Sequence, residues 1–170
     1  MEILKDIINR HSCRLFDNKS LENIQVECIL NAARLAPSGK NGQPCRYVII
    51  NQENLREKIA SCSIYGNWMK KAPVLVAVYL DRSHSYDYKK DIQGVGAAIE
   101  NMCIQAEHLG IGSCWVGEII WYADDEDFLC VRSCHDGSHG NFGTVYFAFC
   151  QTDTAGSRIF KGNVCCALRL

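Results

Sequence analysis

Two short stretches of this chain carry side chains able to hold and orient a polar molecule. Arg10-His11-Ser12-Cys13-Arg14 sets two guanidiniums and a hydroxyl within five residues. That combination can clamp a phosphate through paired N–H donors, because the guanidinium fork matches phosphate oxygens. Standing alone, the same residues also read as two solvated arginines at a helix end. The second stretch, Ala36-Pro37-Ser38-Gly39-Lys40-Asn41-Gly42-Gln43-Pro44, places two glycines and two prolines in nine residues and so fixes an unusual backbone path. Its Ser38, Asn41 and Gln43 are neutral hydrogen-bonding side chains. They suit the edge of a polar heteroaromatic ring better than a bare phosphate or a metal.

The elements around these stretches follow from apolar spacing. Ile3, Leu4, Ile7 and Ile8 predict a first helix ending near Arg10-His11. Ser20 is the expected N-cap of a second helix with apolar face Leu21, Ile24, Cys28, Ala32 and Leu35, and Pro37 lies just past its end. After the Pro-Ser-Gly loop come a strand, Tyr47 to Ile50, and a short charged helix, roughly Glu53 to Ala60. Pro73 to Leu80 is continuously apolar and of strand length, so a strand buried on both faces is expected. Asp91 is the expected cap of the strongest helix, with Ile92, Val95, Ile99, Met102, Ala106 and Leu109 three or four apart and Gly110 as its stop. A strand from Ser113 to Val116 ends at Gly117. Helices and strands interleave without repeats or a linker, which gives one compact α+β domain.

Composition narrows the partners. The chain has 170 residues, is 48% hydrophobic and carries a formal net charge of -1 with both signs mixed. No basic face argues for nucleic acid. The longest apolar stretch, Ala72 to Leu80, is too short to span a bilayer. Met1 leads into Glu2 with no basic-then-apolar leader, so a cytoplasmic protein is expected. Cys28, Cys62 and Cys103, among eleven cysteines, occupy apolar positions of helical patterns, where a free thiol acts as a small hydrophobe.

Five motifs in order strengthen the reading of the two polar stretches. Arg10 to Phe16, then Ala36 to Pro44, then Trp68 with Ala72-Pro73-Val74, then Asp91 with Ala97 to Asn101, then Gly110 to Gly117 together resemble the nitroreductase-like FMN flavoproteins. The resemblance covers residues 1–118 and implies a mixed sheet flanked by helices, built as a homodimer with FMN at the subunit interface. It implies that Arg10, Ser12 and Arg14 hold the FMN phosphate and ribityl chain, and that Pro37, Ser38, Asn41 and Gln43 meet the isoalloxazine. It also implies that Trp115, Val116 and Gly117 bring backbone groups beside the reactive edge of the ring. NAD(P)H as electron donor, a nitroaromatic, quinone or similar small acceptor, and a ping-pong cycle follow as expectations. The flavin carries the chemistry, so no catalytic acid or base is expected. FMN rather than FAD is expected because no G-x-G-x-x-G follows a strand; Gly94 and Gly96 fall inside a helix. The family usually carries an aromatic after Gln-Pro, where this chain has Cys45.

Residues 119–170 form an atypical segment of the same domain. Trp121 to Leu170 shows no clear helical or alternating pattern and concentrates Cys, His, Asp and Phe. Cys130, Cys134, His135 and His139 make a C-x3-C-H-x3-H arrangement, which is not a usual zinc spacing. Shifting the codons of Cys134 to Phe142 by one nucleotide lets them read Ala-Met-Thr-Glu-Val-Met-Ala-Ile-Leu, a strand of the family's type. The same shift lets Ala155 to Phe160 read Gln-Glu-Val-Val-Phe-Leu. A reading-frame slip near residues 119–121 is therefore expected, with a poorly packed tail. Three functions compete: an FMN-dependent oxidoreductase, a non-catalytic flavin-binding remnant, and a Cys/His metal or redox module in the tail.

Overall fold

The computed structural model describes residues 2–17, 19–116 and, for the backbone alone, 144–151. Helices α1 (Lys5–Asn9), α2 (Asn23–Arg34), α3 (Glu53–Ser61), α4 (Gly66–Met69) and α5 (Tyr88–His108) surround strands β1 (Cys45–Ile50), β2 (Val74–Leu80), β3 (Ile111–Val116) and β4 (Thr144–Gln151). The four strands form one sheet in the order β1-β2-β4-β3. Its three ladders are antiparallel. The parallel element is an isolated bridge from Ser12 to Ser113 on the outer edge of β3.

Strand β2 is buried at every position, as its continuous apolar run requires. The strand period of two splits those side chains between two cores. Val74, Val76, Val78 and Leu80 face α2 and α5, packing with Ile29, Leu30, Ile99 and Met102. Leu75, Ala77 and Tyr79 face the other way, towards Ile59, Ala60 and Met69 of α3 and α4 and towards Cys13 and Phe16. The molecule is thus helix, sheet, helix in cross-section.

Three helix expectations need correction. Helix α2 is capped by Glu22 rather than Ser20, and the Glu22 N–H donates to Gln25 Oε1 at 2.9 Å. Its buried face is Ile29, Leu30 and Ala33, whereas Ile24 and Leu35 are exposed. The predicted stripe is one residue out of phase, a rotation of about 100°, because α2 is apolar around much of its circumference. Helix α5 begins earlier than expected: Asp87 is the N-cap, its Oδ1 accepting from the Lys90 N–H at 3.2 Å. Asp91 instead lies buried in the first turn, and its Oδ2 accepts from Ser85 Oγ, Tyr86 N and Asp87 N. It holds the loop that enters the helix. Gly110 ends α5 at φ +69°, a conformation that favours glycine.

Strand β4 corrects a larger expectation. Residues 121–170 showed no pattern in sequence, yet Thr144–Gln151 lies in the middle of the sheet, Phe147 opposite Val76 on one side and Trp115 on the other. The strand is regular where a frame slip leads one to expect irregular backbone; the packing of its side chains and the rest of residues 121–170 lie outside the described residues. Cys130, Cys134, His135, His139 and Ala155 to Phe160 lie outside the described residues.

Candidate functional site

The loop between α2 and β1 is the most constrained backbone described. Lys40, Asn41 and Gln43 have φ of 52°, 54° and 47°. Left-handed backbone at non-glycine residues costs on the order of 1–3 kcal/mol each and persists only where the surroundings impose it. The surroundings can be named. Gln43 N–H donates to Ser38 Oγ at 3.0 Å, Asn41 N–H to Ser38 O at 3.0 Å, and Gly42 N–H to Gly39 O at 2.9 Å. Gln43 Nε2 reaches Asn41 Oδ1 at 3.4 Å, so the two amides lie side by side. Gly39 packs so closely on the Tyr86 ring that a Cβ would collide with it, and Lys40 Nζ sits 4.9 Å from the centroid of that ring.

From below, Arg46 grips the same loop. Its Nη1 donates to Gln43 O at 2.8 Å and to Cys45 O at 3.0 Å, and its Nη2 pairs with Asp81 Oδ2 at 3.0 Å. The antiparallel register makes this reachable: Cys45 is opposite Leu80, so Asp81 falls beside the end of the loop and its N–H donates to Pro44 O at 2.8 Å. A cleft of about 130 Å3 opens between the loop, the end of α2 and the middle of α5; Pro37, Ser38, Gln43, Arg34 and Arg46 border it, and Cys45, Gly94 and Ala98 are among its floor residues.

The phosphate-type cluster lies at the opposite edge of the sheet. Arg10 is the C-cap of α1, and its Nε pairs with Glu100 Oε1 at 3.1 Å, which leaves the terminal nitrogens as donors. Ser12 lies beside Ser113 through the parallel bridge, and Cys13 N–H donates to Ser113 O at 2.9 Å. Cys13 and Phe16 are buried, while Ser12 and Arg14 are exposed. The extended strip therefore turns its polar residues outward. Among the described residues no hydrogen bond or ion pair joins this cluster to the loop.

Helix α5 spaces the parts. Gly94 admits Pro37 O at 3.4 Å from a Cβ position, Gly96 admits the Trp115 ring at 3.4 Å, and Glu100 holds Arg10. The distance from Gly94 to Glu100 is about 9 Å of helix. Trp115 is 45% exposed on β3, Val116 is buried, and Gly117 lies outside the described residues.

Burial keeps the thiols and the Tyr47 phenol here in their neutral, protonated forms. Burial pushes the Cys45 thiol up, outweighing its bond to Tyr47 and the Arg46 charge, and burial likewise raises Tyr47. Burial raises Cys114 against the opposing influence of Arg14 and Ser12, and takes Cys103 to about 11. Asp81 goes the other way: burial would raise its carboxyl, but bonds from Ser83 and His84 and the Arg46 charge hold it below the usual range. The cleft is bordered by arginines, amides and a hydroxyl, with no carboxylate or histidine among its lining residues. It can orient and polarise a bound molecule, but its lining offers no ordinary base at neutral pH.

The expected residues thus fall into two groups. Pro37, Ser38 and Gln43 meet at one cleft with Asn41 beside them on the turn, and Arg10, Ser12 and Arg14 share the β3 edge near Trp115 and Val116. Arg46, Asp81 and Tyr86 were missed. Their roles depend on which strands pair, and no local spacing carries that information. Among the described residues no group of three His, Cys, Asp or Glu is placed to hold a metal ion, and no helix is long and apolar enough to cross a membrane.

Comparison with known proteins gives a consistent picture. A profile of the Nitroreductase family matches residues 7–64 and 60–136, running past the motifs that end near Glu118. A protein of Archaeoglobus fulgidus, named as a candidate NADH dehydrogenase/NAD(P)H nitroreductase, is 34% identical over 117 residues, covering 68% of this chain and 67% of the relative. A like-named protein of Methanothermobacter thermautotrophicus is 29% identical over 117 residues, 69% of this chain and 61% of its own length. The match therefore spans roughly two thirds of these relatives. Among solved structures, a candidate nitroreductase from Desulfovibrio desulfuricans in complex with FMN has a TM-score of 0.77 and 32% identity, covering 93% of this chain and 90% of that one.

Proposed function

Because the chain belongs to the nitroreductase family, we propose that it is an FMN-dependent oxidoreductase that uses NAD(P)H to reduce nitroaromatic, quinone or similar small acceptors. The observation that carries this reading is the loop Pro37–Pro44, held in left-handed backbone at Lys40, Asn41 and Gln43 by the bond that Arg46 donates to Gln43 O and the bond that Ser38 Oγ accepts from Gln43 N–H. Such strain is found where a ligand must be met by preset groups. The donor set fits FMN. Two arginines and a serine suit a terminal phosphate dianion. Ser38, Asn41 and Gln43 offer the neutral donors and acceptors that a pyrimidine edge requires. The loop and the Arg10, Ser12 and Arg14 cluster lie at opposite edges of one sheet, which supports a site completed by a second copy of the chain.

In this reading Arg10, Ser12 and Arg14 bind the phosphate and ribityl end, Pro37, Ser38, Asn41 and Gln43 orient the ring, and Trp115, Val116 and Gly117 border its reactive edge. FMN, when bound, supplies the hydride acceptance and donation. The residues need only bind, orient and exclude water, which agrees with a cleft lacking an acid or base in its lining. The donor and the acceptor occupy the same place in turn, a ping-pong order.

The apolar face of Ile3, Leu4, Ile7 and Ile8 is exposed, which supports a homodimer. Residues 1–118 are the FMN-binding part, and 119–170 belong to the same domain, a reading supported by the pairing of β4 with β2 and β3. The six described cysteines are free thiols, in keeping with the cytoplasm. Purified protein should be yellow, release FMN rather than FAD on heating, and lose its colour with NADH or NADPH under nitrogen. Colourless protein that takes up no FMN would overturn the reading, and bound flavin indifferent to both nicotinamides would favour a non-catalytic binding protein.

A further inference from the structure

We propose that Arg46 and Asp81 are positioning residues that set the amide loop against the ring edge of the flavin, an inference that rests on the function proposed above. Arg46 is the only side chain described that donates to the backbone of the loop from outside it: Nη1 bonds Gln43 O at 2.8 Å. Gln43 is itself in left-handed backbone, so that bond falls on one of the strained residues of the loop. The guanidinium is fixed in turn by Asp81 Oδ2 at 3.0 Å, and Asp81 is fixed by its own N–H to Pro44 O at 2.8 Å. Loop carbonyl, guanidinium, carboxylate and loop carbonyl therefore close a ring of bonds around the start of β1. The Asp81 side chain is 14% exposed and the Arg46 side chain 26%, so the pair is largely shielded from water. A largely shielded, hydrogen-bonded pair is stiffer and stronger than an exposed surface pair.

A second strut converges on the same loop. The buried Asp91 carboxylate accepts from Ser85 Oγ at 2.6 Å and from Tyr86 N at 3.1 Å, which plants the Tyr86 ring under Gly39. The loop is thus pinned at its beginning by Tyr86 and at its end by Arg46, with Asn41 and Gln43 between. Lysine cannot replace Arg46 here. A single ammonium lacks the planar fork that reaches Gln43 O, Cys45 O and Asp81 at once.

The experiment titrates FMN into apoprotein of wild type, Arg46→Ala, Arg46→Lys, Asp81→Asn and Arg14→Ala, and records the absorption spectrum of each bound flavin. Arg46→Ala and Asp81→Asn should weaken FMN binding about tenfold and shift the flavin bands, with Arg46→Lys failing to restore the wild-type spectrum. Arg14→Ala should weaken binding and leave the bands in place. Wild type that binds no FMN would remove the functional reading itself. Wild type that binds, with Arg46 and Asp81 variants of equal affinity or an unshifted spectrum, would overturn the positioning role alone. Should Arg46→Ala not fold, Arg46→Lys and Asp81→Asn give the same readout.

Discussion

Helices α1 and α5 carry apolar side chains at the same spacing and meet opposite environments. Val95, Ala98, Ile99, Met102 and Ala106 of α5 are buried against the sheet and α2, whereas Ile3, Leu4, Ile7 and Ile8 of the α1 region are 48–68% exposed. Polar contacts hold α1 in place. Arg10 pairs with Glu100 at one end, and Asp6 pairs with His108 at 3.0 Å at the other, which turns the isoleucines away from the protomer. A helix of five residues is far too short to be stable by itself. Spacing shows that a face will be covered; it does not show by what.

The contrast can be broken by substitution. Ile99→Ala should cost about 2–5 kcal/mol of folding stability, seen as a lower midpoint in urea, because its side chain is fully buried. If Ile99→Ala proves neutral, α5 is not the central support described. Ile8→Glu should hardly alter the folding of one protomer yet weaken self-association by about 1.5–3 kcal/mol, read as a smaller species in sedimentation. An equal loss of folding stability would show that α1 packs within its own chain. Arg14→Ala, on the same side, should lower FMN affinity about ten- to a hundredfold and leave the urea midpoint alone; full retention of FMN through dialysis would make Arg14 a surface charge only.

The smallest effect concerns acid. The Asp81 carboxyl is depressed in the folded protein, so its contribution is fully present above the ordinary carboxylate value of about 3.9 and is lost as pH falls through its lower folded value. Flavin retention in wild type should hold to about pH 4 and fall below it, whereas Asp81→Asn, which lacks the titrating carboxyl, should be weaker at every pH and lack that acid step. Identical acid profiles for the two would remove Asp81 from the loop.

Which elements were legible in sequence follows the range of the forces that shape them. Strands β1 and β2, the burial of α5 and the stop at Gly110 were readable because each rests on local period or backbone preference. The phase of α2 was not, since Ile24 and Ile29 are equally apolar and only the sheet chooses between them. Asp91 looked like a cap because it opens an apolar pattern, yet the carboxylate three-donor contact that buries it comes from residues 85–87. Half of the candidate site was visible as residue types, Ser38, Asn41 and Gln43 above all. Its supports, Arg46 and Asp81, were hidden by the 35 positions that separate them, since pairing across a sheet leaves no mark in the neighbouring sequence. Strand β4 was hidden for the same reason.

The strand order β1-β2-β4-β3 also bears on synthesis from the ribosome. β2 and β3 are both made before β4, and both have an open edge until Thr144–Gln151 slots between them. During that interval the nascent chain presents two unpaired rows of backbone donors and acceptors, and open edges of that kind recruit other strands. Late pairing across long sequence separation is also slow. The chain is therefore most prone to misassembly in the window after Val116 emerges, before Thr144–Gln151 can close the gap between β2 and β3.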